Sequence, residues 1–329
     1  MTTYSKKNNL VPLKNTPYWR LSGFYFFYFA SLGVLVPYWG LYLQWEGFSA
    51  QEIGELTAIL LATRIVAPNI WGWIADHRGQ RMSIVRLASF VGALSFAAIL
   101  FSNSYLWIAG VLFTFSFFWN ASLPQFEATT LQHLGEHSHH YSKIRLWGSV
   151  GFIITVAGLG ILLESYDASI VPYVMLLSLI AIWLVSLTVP ESSSRHLSLE
   201  HQSLLSIVKR PEVIAFLSIC VLVQISHGPY YTFYTIYLED HGYNRSLIGQ
   251  LWALGVIAEI IVFLFMHQWL PRFGLRLVLL ISLLLSTLRW LIIGFYPDSM
   301  ALLLFAQCLH AASFGSFHAA AITWIHHYF

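Results

Sequence analysis

The sequence predicts an all-α polytopic membrane protein, and three observations support this prediction. Of the 329 residues, 57% are apolar and 10% are charged, whereas a soluble domain carries about 25% charged residues. The mean hydropathy is +0.65. Apolar runs of about 20 residues, the length that crosses the hydrocarbon core as a helix, recur along the whole chain. These runs are continuous rather than alternating, which excludes a transmembrane barrel.

Ten apolar runs are long enough to span a bilayer. Their approximate bounds are 19–44, 51–74, 82–101, 104–131, 141–164, 169–189, 212–238, 246–270, 276–296 and 299–325. The first run is too long for a signal-peptide core and precedes no small-residue cleavage site, so we expect it to remain as a helix. The two cysteines, Cys220 and Cys308, fall inside apolar runs, and no disulfide framework is predicted.

The basic residues predict the orientation of the chain. With the N-terminus in the cytoplasm, most lysines and arginines lie at or near the cytoplasmic face, Arg245 alone lies on the outer side, and Arg64 and Arg289 lie mid-helix. The positive-inside rule favours this arrangement. We therefore expect a multi-pass protein of the inner (plasma) membrane with a cytoplasmic N-terminus.

A polar stretch between Pro190 and Pro211 is the one candidate domain boundary. It predicts a cytoplasmic N-terminal tail at 1–18 and an N-terminal six-helix bundle at 19–189. A cytoplasmic linker at 190–211 then leads to a C-terminal bundle at 212–329.

The region of the second run recurs 195 residues later, as in the pairs Gly54 and Gly249, and Arg81 and Arg276. Six runs separate the two copies, and this even number gives them the same membrane orientation. A parallel repeat of this kind relates the two six-helix halves of major facilitator transporters. The first copy has six apolar runs and the second has four, so a complete second copy would need two further helices. We therefore expect about ten of twelve helices, with the last two missing. A natural ten-helix protein is the alternative.

The loop between runs 2 and 3 contains Gly72, Asp76, Gly79 and Arg81. It resembles the signature loop of the major facilitator superfamily, and residues 272–276 form a partial copy. Glycines permit a tight turn, and Asp76 is expected to pair with basic groups in one conformation only. We interpret these four residues as a gating loop. A purely topogenic role of the basic residues is the alternative.

Glu127 and Arg145 lie on either side of a short histidine-rich loop. Two antiparallel helices joined by such a loop bring both side chains to a similar depth. A lone charge in hydrocarbon costs about 3 kcal/mol or more, so a buried acid and base are read as paired and functional. A structural ion pair that only joins two helices is the alternative.

Together with Asn120, these two residues resemble the sugar-binding region of the lactose permease family. Four other stretches resemble the phenylpropionic acid permease branch of the same superfamily: 224–231, 254–259, 288–290 and 308–310. The resemblance implies a major facilitator fold with a substrate site between its halves. The substrate-binding residues we expect are Asn120, Glu127, Arg145, Trp147, His227 and Tyr231.

Four further polar residues lie deep in the predicted helices. Arg64, Glu259 and Arg289 are about 20 Å from a helix end, and His310 is about 15 Å from one. The lactose permease family has a proton-coupling glutamate three residues beyond the position of His310, where this chain has Ser313. We therefore expect Glu259 to carry the proton, with Arg64, Arg289 and His310 as partners.

Other polar side chains permit a functional or a structural interpretation. Tyr237 belongs to an aromatic stripe with His227, and packing explains it as well as ligand binding does. We interpret His318 as structural. The histidines of the loop at 133–140 could hold a metal, but a polar cytoplasmic loop explains them better.

These patterns predict a secondary active transporter that works by alternating access, a proton symporter of a small organic solute such as an aromatic carboxylate. The mid-membrane positions hold three arginines and two glutamates, and a bound anion would offset the surplus positive charge. The alternatives are symport of a neutral sugar or nucleoside, and a truncated solute-binding or sensor protein without transport. No enzyme motif appears. We expect no cofactor, no metal and no nucleic acid, and as partners the small-molecule substrate, protons and the lipid bilayer around a monomer.

Overall fold

The computed structural model describes residues 16–191 and 208–328, which are almost entirely helical and contain no strand. Its helices are α1 (Tyr18–Trp45), α2 (Ala50–Arg78), α3 (Arg81–Ala97), α4 (Tyr105–Leu134), α5 (Tyr141–Leu162), α6 (Val171–Thr188), α7 (Pro211–Asp240), α8 (Arg245–Phe273), α9 (Leu275–Phe295) and α10. The last of these comprises Met300–His310, a π-helical turn at Ala311–Ser316, and Phe317–Tyr328. Most of the predicted tail and linker lies outside the described residues.

The predicted all-α membrane fold is confirmed. Across the two described ranges, 9 continuous helical stretches are long and apolar enough to cross a membrane, and the longest, Tyr105–Leu162, has 58 residues. That stretch contains α4 and α5, joined by a 3₁₀ turn at Gly135–His140. Glu127 and Arg145 approach to 4.0 Å, whereas a straight helix would separate them by about 27 Å. The chain therefore reverses at this turn and makes ten passes.

The repeat seen in the sequence is present in the backbone. Helices α2 and α8 both have 29 residues. Each follows a glycine with a positive φ, Gly47 at 93° and Gly242 at 82°, and each ends at another, Gly79 at 66° and Gly274 at 76°. Glycine adopts this conformation without a steric penalty. Gly47 and Gly242, like Gly79 and Gly274, are 195 residues apart in the sequence. The repeat therefore includes the glycines that these turns require.

Close backbone contact joins α1 to α5. A Cβ atom added to Gly151 would lie 2.1 Å from the carbonyl oxygen of Phe26, and one added to Gly33 would lie 2.9 Å from that of Phe152. Small residues allow membrane helices to approach this closely, and the gain is van der Waals packing. The same pair of helices then meets the second part of the chain, α1 against α7 and α5 against α8.

The contact between α5 and α8 closes one end of the molecule. The Tyr38 hydroxyl donates to the carbonyl oxygen of Val156 at 2.7 Å. Gly160 and Gly249 face each other beside this hydroxyl, and a Cβ atom on Gly160 would lie 3.3 Å from the Gly249 Cα atom. No side chain larger than hydrogen fits at either glycine without moving backbone.

Polar contacts extend this closed end. Arg245 donates to the carbonyl oxygen of Leu163 at 3.3 Å, and the backbone N–H of Ser246 donates to the Glu164 carboxylate at 2.8 Å. Arg245 also pairs with Glu239 at 2.7 Å. The closed end therefore lies where α1, α5 and α7 finish and α8 begins. The turn between α4 and α5 lies at the opposite end.

Candidate functional site

Glu127 and Arg145 form a loose pair between α4 and α5. The Arg145 Nε atom lies 4.0 Å from the Glu127 Oε1 atom, and the two side chains are 31% and 38% exposed. The Tyr141 hydroxyl donates to the same carboxylate oxygen at 3.1 Å. The Arg145 guanidinium carbon lies 3.7 Å from the centre of the Phe29 ring, a cation–π contact. The structure brings the two charges together and leaves both accessible to a solute.

Arg64 on α2 is exposed although it lies mid-helix. Its charge acts on the hydroxyls of Tyr28 on α1 and Tyr231 on α7. The charge of Arg145 likewise acts on the Glu259 carboxylate of α8. These interactions connect residues of the first six helices with residues of the last four. The charged side chains of the two parts are therefore within electrostatic range of one another.

Glu259 and His310 face each other between α8 and α10. The distance from the Glu259 Oε2 atom to the His310 Nε2 atom is 4.0 Å, with side-chain exposures of 17% and 8%. A Cβ atom on Gly315 would lie 3.1 Å from Glu259 Cγ, and one on Gly255 would lie 3.3 Å from His310 Cδ2. The two glycines thus make room for this acid and this imidazole. Gly315 belongs to the π-helical turn of α10.

Arg289 on α9 is fully buried. Its Nη1 group donates to the Ser313 hydroxyl at 3.2 Å, and its guanidinium carbon lies 4.1 Å from the Tyr230 ring centre and 4.5 Å from that of Trp290. None of the ion pairs found within residues 16–191 and 208–328 includes Arg289. Its neighbours in the protein are therefore a hydroxyl and two aromatic faces.

Gln307 belongs to the same region and was not predicted from the sequence. It is fully buried, accepts a hydrogen bond from the Tyr230 hydroxyl at 3.0 Å and donates to the Tyr234 hydroxyl at 2.5 Å. A single amide three residues before His310, on the same face of an apolar helix, is the signal that could have identified it. Tyr237, farther along α7, donates to the carbonyl oxygen of Ile293 at 3.0 Å and so joins α7 to α9.

Two residues expected in the substrate site make contacts within the first six helices. The Asn120 side chain donates to the Thr63 hydroxyl at 3.2 Å, within the interface of α2 and α4. The Trp147 indole donates to the Tyr18 hydroxyl at 3.1 Å and its ring lies 5.5 Å from that of Trp19, at the start of α1. The structure does not bring either side chain to Glu259 or Arg289, because both are used in helix packing.

The signature loop holds α2, α3 and α4 together. Arg81 pairs with Asp76 at 2.6 Å and donates to Gln125 of α4 at 2.5 Å. Gly72 lies against the same amide, since a Cβ atom there would be 3.8 Å from Gln125 Nε2. Gly79 ends α2 in a left-handed conformation. Asp76 is 64% exposed and therefore remains open to a second partner.

The histidine-rich turn shows no metal geometry. His133 contacts the carbonyl oxygen of Pro190 at 3.1 Å, and the His139 and His140 rings lie 4.1 Å apart. Within the residues that the structure describes, no group of three or more His, Cys, Asp or Glu side chains could hold a metal ion.

His318, which the sequence analysis interprets as structural, is exposed in the structure. Its ring stacks on that of Phe314 at 5.8 Å, and Phe314 stacks on His310 at 5.7 Å. The charges of Arg145 and Arg64 act on it. His318 therefore lies within electrostatic range of both arginines, and a helix apolar on most faces gave no signal of this orientation.

Comparison with known proteins identifies the family of this chain. Residues 18–329 match the MFS_1 like family. The chain is 30% identical over 312 residues to the probable 3-phenylpropionic acid transporter of Escherichia coli, which covers 92% of this chain and 80% of that protein. A mutant of the nucleoside transporter NupG has a similar fold, with a TM-score of 0.83, 17% identity, and coverage of 94% of this chain and 82% of that one.

A third similar protein is a bacterial homologue of the human lysosomal transporter Spinster, in an inward-facing and unoccupied conformation. Its TM-score is 0.67 at 14% identity, covering 95% of this chain and 75% of that one. All three proteins are named as transporters, and none is an enzyme. The chain belongs to the MFS_1 like family, and it is a multi-pass membrane protein of the major facilitator superfamily.

Proposed function

We propose that this protein is a proton symporter that carries a small aromatic carboxylate across the inner membrane by alternating access. The observation that carries the proposal is the surplus of positive charge in the site. Within the described parts of the chain, neither the buried Arg289 nor the exposed Arg64 has a carboxylate in ion-pair range. Buried cations are costly unless an anion offsets them.

Aromatic side chains around these cations favour a solute that carries a ring. Trp290 and Phe29 each lie beside an arginine and Tyr231 lies beside His227, and aromatic rings prefer to stack or meet edge to face. The name of the Escherichia coli relative specifies 3-phenylpropionic acid, a ring joined to a carboxylate. A transported proton would balance the charge of such an anion.

The closed end at Gly160 and Gly249 supports alternating access. Glu127 and Arg145 are accessible and lie within three turns of the opposite end of α4 and α5. With the N-terminus in the cytoplasm, as the distribution of basic residues favours, the site faces inward. The inner membrane, this orientation and a monomeric transporter are parts of the same proposal.

Uptake into proteoliposomes tests the proposal. Labelled 3-phenylpropionate should accumulate when the outside is made acidic and should only equilibrate without a pH gradient. A thermal-shift series should show stabilisation by 3-phenylpropionate and little by its uncharged amide or a galactoside. Equal stabilisation by acid and amide would contradict an anion site.

A neutral sugar or nucleoside is the second candidate, because the half-exposed carboxylate of Glu127 beside the Tyr141 hydroxyl and Arg145 could bind solute hydroxyls. Stabilisation by the galactoside alone would select it. Binding without uptake would instead indicate a solute-binding or sensor protein.

Replacing Arg145 by Lys should weaken solute binding about tenfold, because lysine lacks the planar guanidinium that stacks on an aromatic face. The guanidinium now lies 3.7 Å from the Phe29 ring centre. Titration calorimetry with 3-phenylpropionate measures the effect. Arg272→Lys is the matched control, since Arg272 lies in the last turn of α8 beside the ring of Phe273. Equal affinity of Arg145→Lys and the control would remove Arg145 from the site.

A further inference from the structure

The side chains around Arg289 form a compact group that combines one cation with aromatic rings and imidazoles. We call His227, Tyr230, Arg289, Trp290 and His310 the Arg289 cluster. Arg289 lies over the rings of Tyr230 and Trp290. The His227 ring lies 5.0 Å from that of Trp290, and the His310 ring lies 5.9 Å from that of Tyr230. The cluster joins α7, α9 and α10.

Five polar atoms of the cluster are buried without a hydrogen-bond partner among the described residues. They are Nε and Nη2 of Arg289, Nε1 of Trp290, Nε2 of His227 and Nδ1 of His310. A buried polar group without a partner is destabilising, and the effect is larger for a charged group. Five such atoms in one place are the pattern expected of a site that binds a polar ligand.

The chemistry of these atoms identifies an anion that accepts several hydrogen bonds. Guanidinium and indole N–H groups only donate. The His227 Nδ1 atom lies 2.8 Å from the carbonyl oxygen of Val223, and a carbonyl only accepts, so Nδ1 carries the proton. The Nε2 atom of the neutral ring then carries a lone pair and accepts hydrogen bonds. It becomes an N–H donor when the ring gains a second proton.

We propose that Arg289, Trp290 and His227 form a recessed subsite for the carboxylate of the solute, and that His227 takes up one proton as the carboxylate binds. This inference rests on the proposed function and specifies where the carboxylate of the transported solute binds. The proton comes from a hydronium ion of the aqueous phase: one of its O–H bonds breaks, an N–H bond forms at the Nε2 lone pair, and a water molecule is released. Arg289 alone gives the cluster one positive charge, and adding one carboxylate and one proton leaves that charge unchanged.

Other groups around His227 fit this assignment. Arg289 of α9 lies over the Tyr230 ring, the His310 ring of α10 lies 5.9 Å from the same ring, and Glu259 of α8 lies 4.0 Å from His310 and provides the next proton acceptor. Tyr231, on the helix of His227, is half-buried, and its ring lies 5.7 Å from the His227 ring. Access to the subsite requires movement of Tyr231, because His227 and Arg289 are buried.

Calorimetry on the purified full chain tests the subsite. Titrations of 3-phenylpropionate and of its amide are run in two buffers of different ionisation enthalpy, which gives the number of protons taken up. The unsubstituted chain should bind the acid with proton uptake at neutral pH. Arg289→Gln should weaken binding of the acid about tenfold or more and leave the amide unaffected. His227→Gln should remove the proton uptake, whereas Glu259→Gln should retain it at equilibrium.

Arg289→Lys is the substitute variant if Arg289→Gln fails to fold. Lysine keeps the positive charge but lacks the guanidinium fork, so we expect a loss of affinity that is smaller than in Arg289→Gln. Unchanged affinity for the acid in the folded Arg289 variants would overturn the subsite while leaving the proposed function intact. Proton uptake that persists in His227→Gln and disappears in Glu259→Gln would overturn the role of His227. Failure of the unsubstituted chain to bind the acid at all would overturn the proposed function itself.

Discussion

Glu259→Gln is expected to abolish accumulation of solute against its gradient and to leave exchange of internal for external solute within about twofold. Glutamine matches glutamate in shape but stays neutral, so the alternating conformations persist while the titration is lost. The carboxylate lies mid-helix on α8, 4.0 Å from His310 and 17% exposed. It therefore lies between α8 and α10 beside an imidazole, a side chain that can exchange a proton with it.

Paired transport assays measure this effect. Uptake driven by an imposed pH gradient should fall to equilibration in Glu259→Gln, whereas counterflow into solute-loaded vesicles should continue. Glu212→Gln is the control, because Glu212 is an exposed acid in the first turn of α7 and its loss should change neither assay. Retained uphill uptake in Glu259→Gln would place the coupling proton on another residue.

The helix bounds could be predicted from sequence because the signals are local. The repeated segments α2 and α8 begin and end within a few residues of their predicted bounds. Their lengths follow from the thickness of the bilayer. Glycines with positive φ fix the turns at Gly79 and Gly274. These features need no knowledge of which helices pack together.

The orientation of side chains about each helix axis could not be predicted in the same way. A membrane helix is apolar toward lipid and toward its neighbours alike, so the hydrophobic pattern does not define a buried face. For that reason the contact of Trp147 with Tyr18 could not be predicted, and the place of Trp147 in the substrate site stays a prediction. For the same reason, Gln307 and the exposed position of His318 emerge only from the folded chain. The depth of Glu259 and Arg289 was predictable, because depth depends only on position along the helix.

The contact between Gly160 and Gly249 makes the closed end sensitive to a single side chain. A Cβ atom on Gly160 would lie 2.7 Å from the carbonyl oxygen of Arg245 and 2.7 Å from the Tyr38 hydroxyl. Backbone atoms cannot yield without separating α5 from α8. Gly160→Val should therefore disfavour this closed conformation and reduce uptake about tenfold or more, since alternating access needs both conformations.

Distances between spin labels report this opening directly. Labels at Tyr166 and Tyr296, which are 59% and 57% exposed at the closed end, should move apart by about 2 Å or more in Gly160→Val, because interaxial distance follows the side chains at a helix contact. The background carries serine at both native cysteines. Gly158→Val is the matched control, because a Cβ atom added at this position of the same helix would meet nothing within 4 Å. A Gly160→Val variant with unchanged label distance and full uptake would show that closure at this end does not depend on the α5–α8 contact.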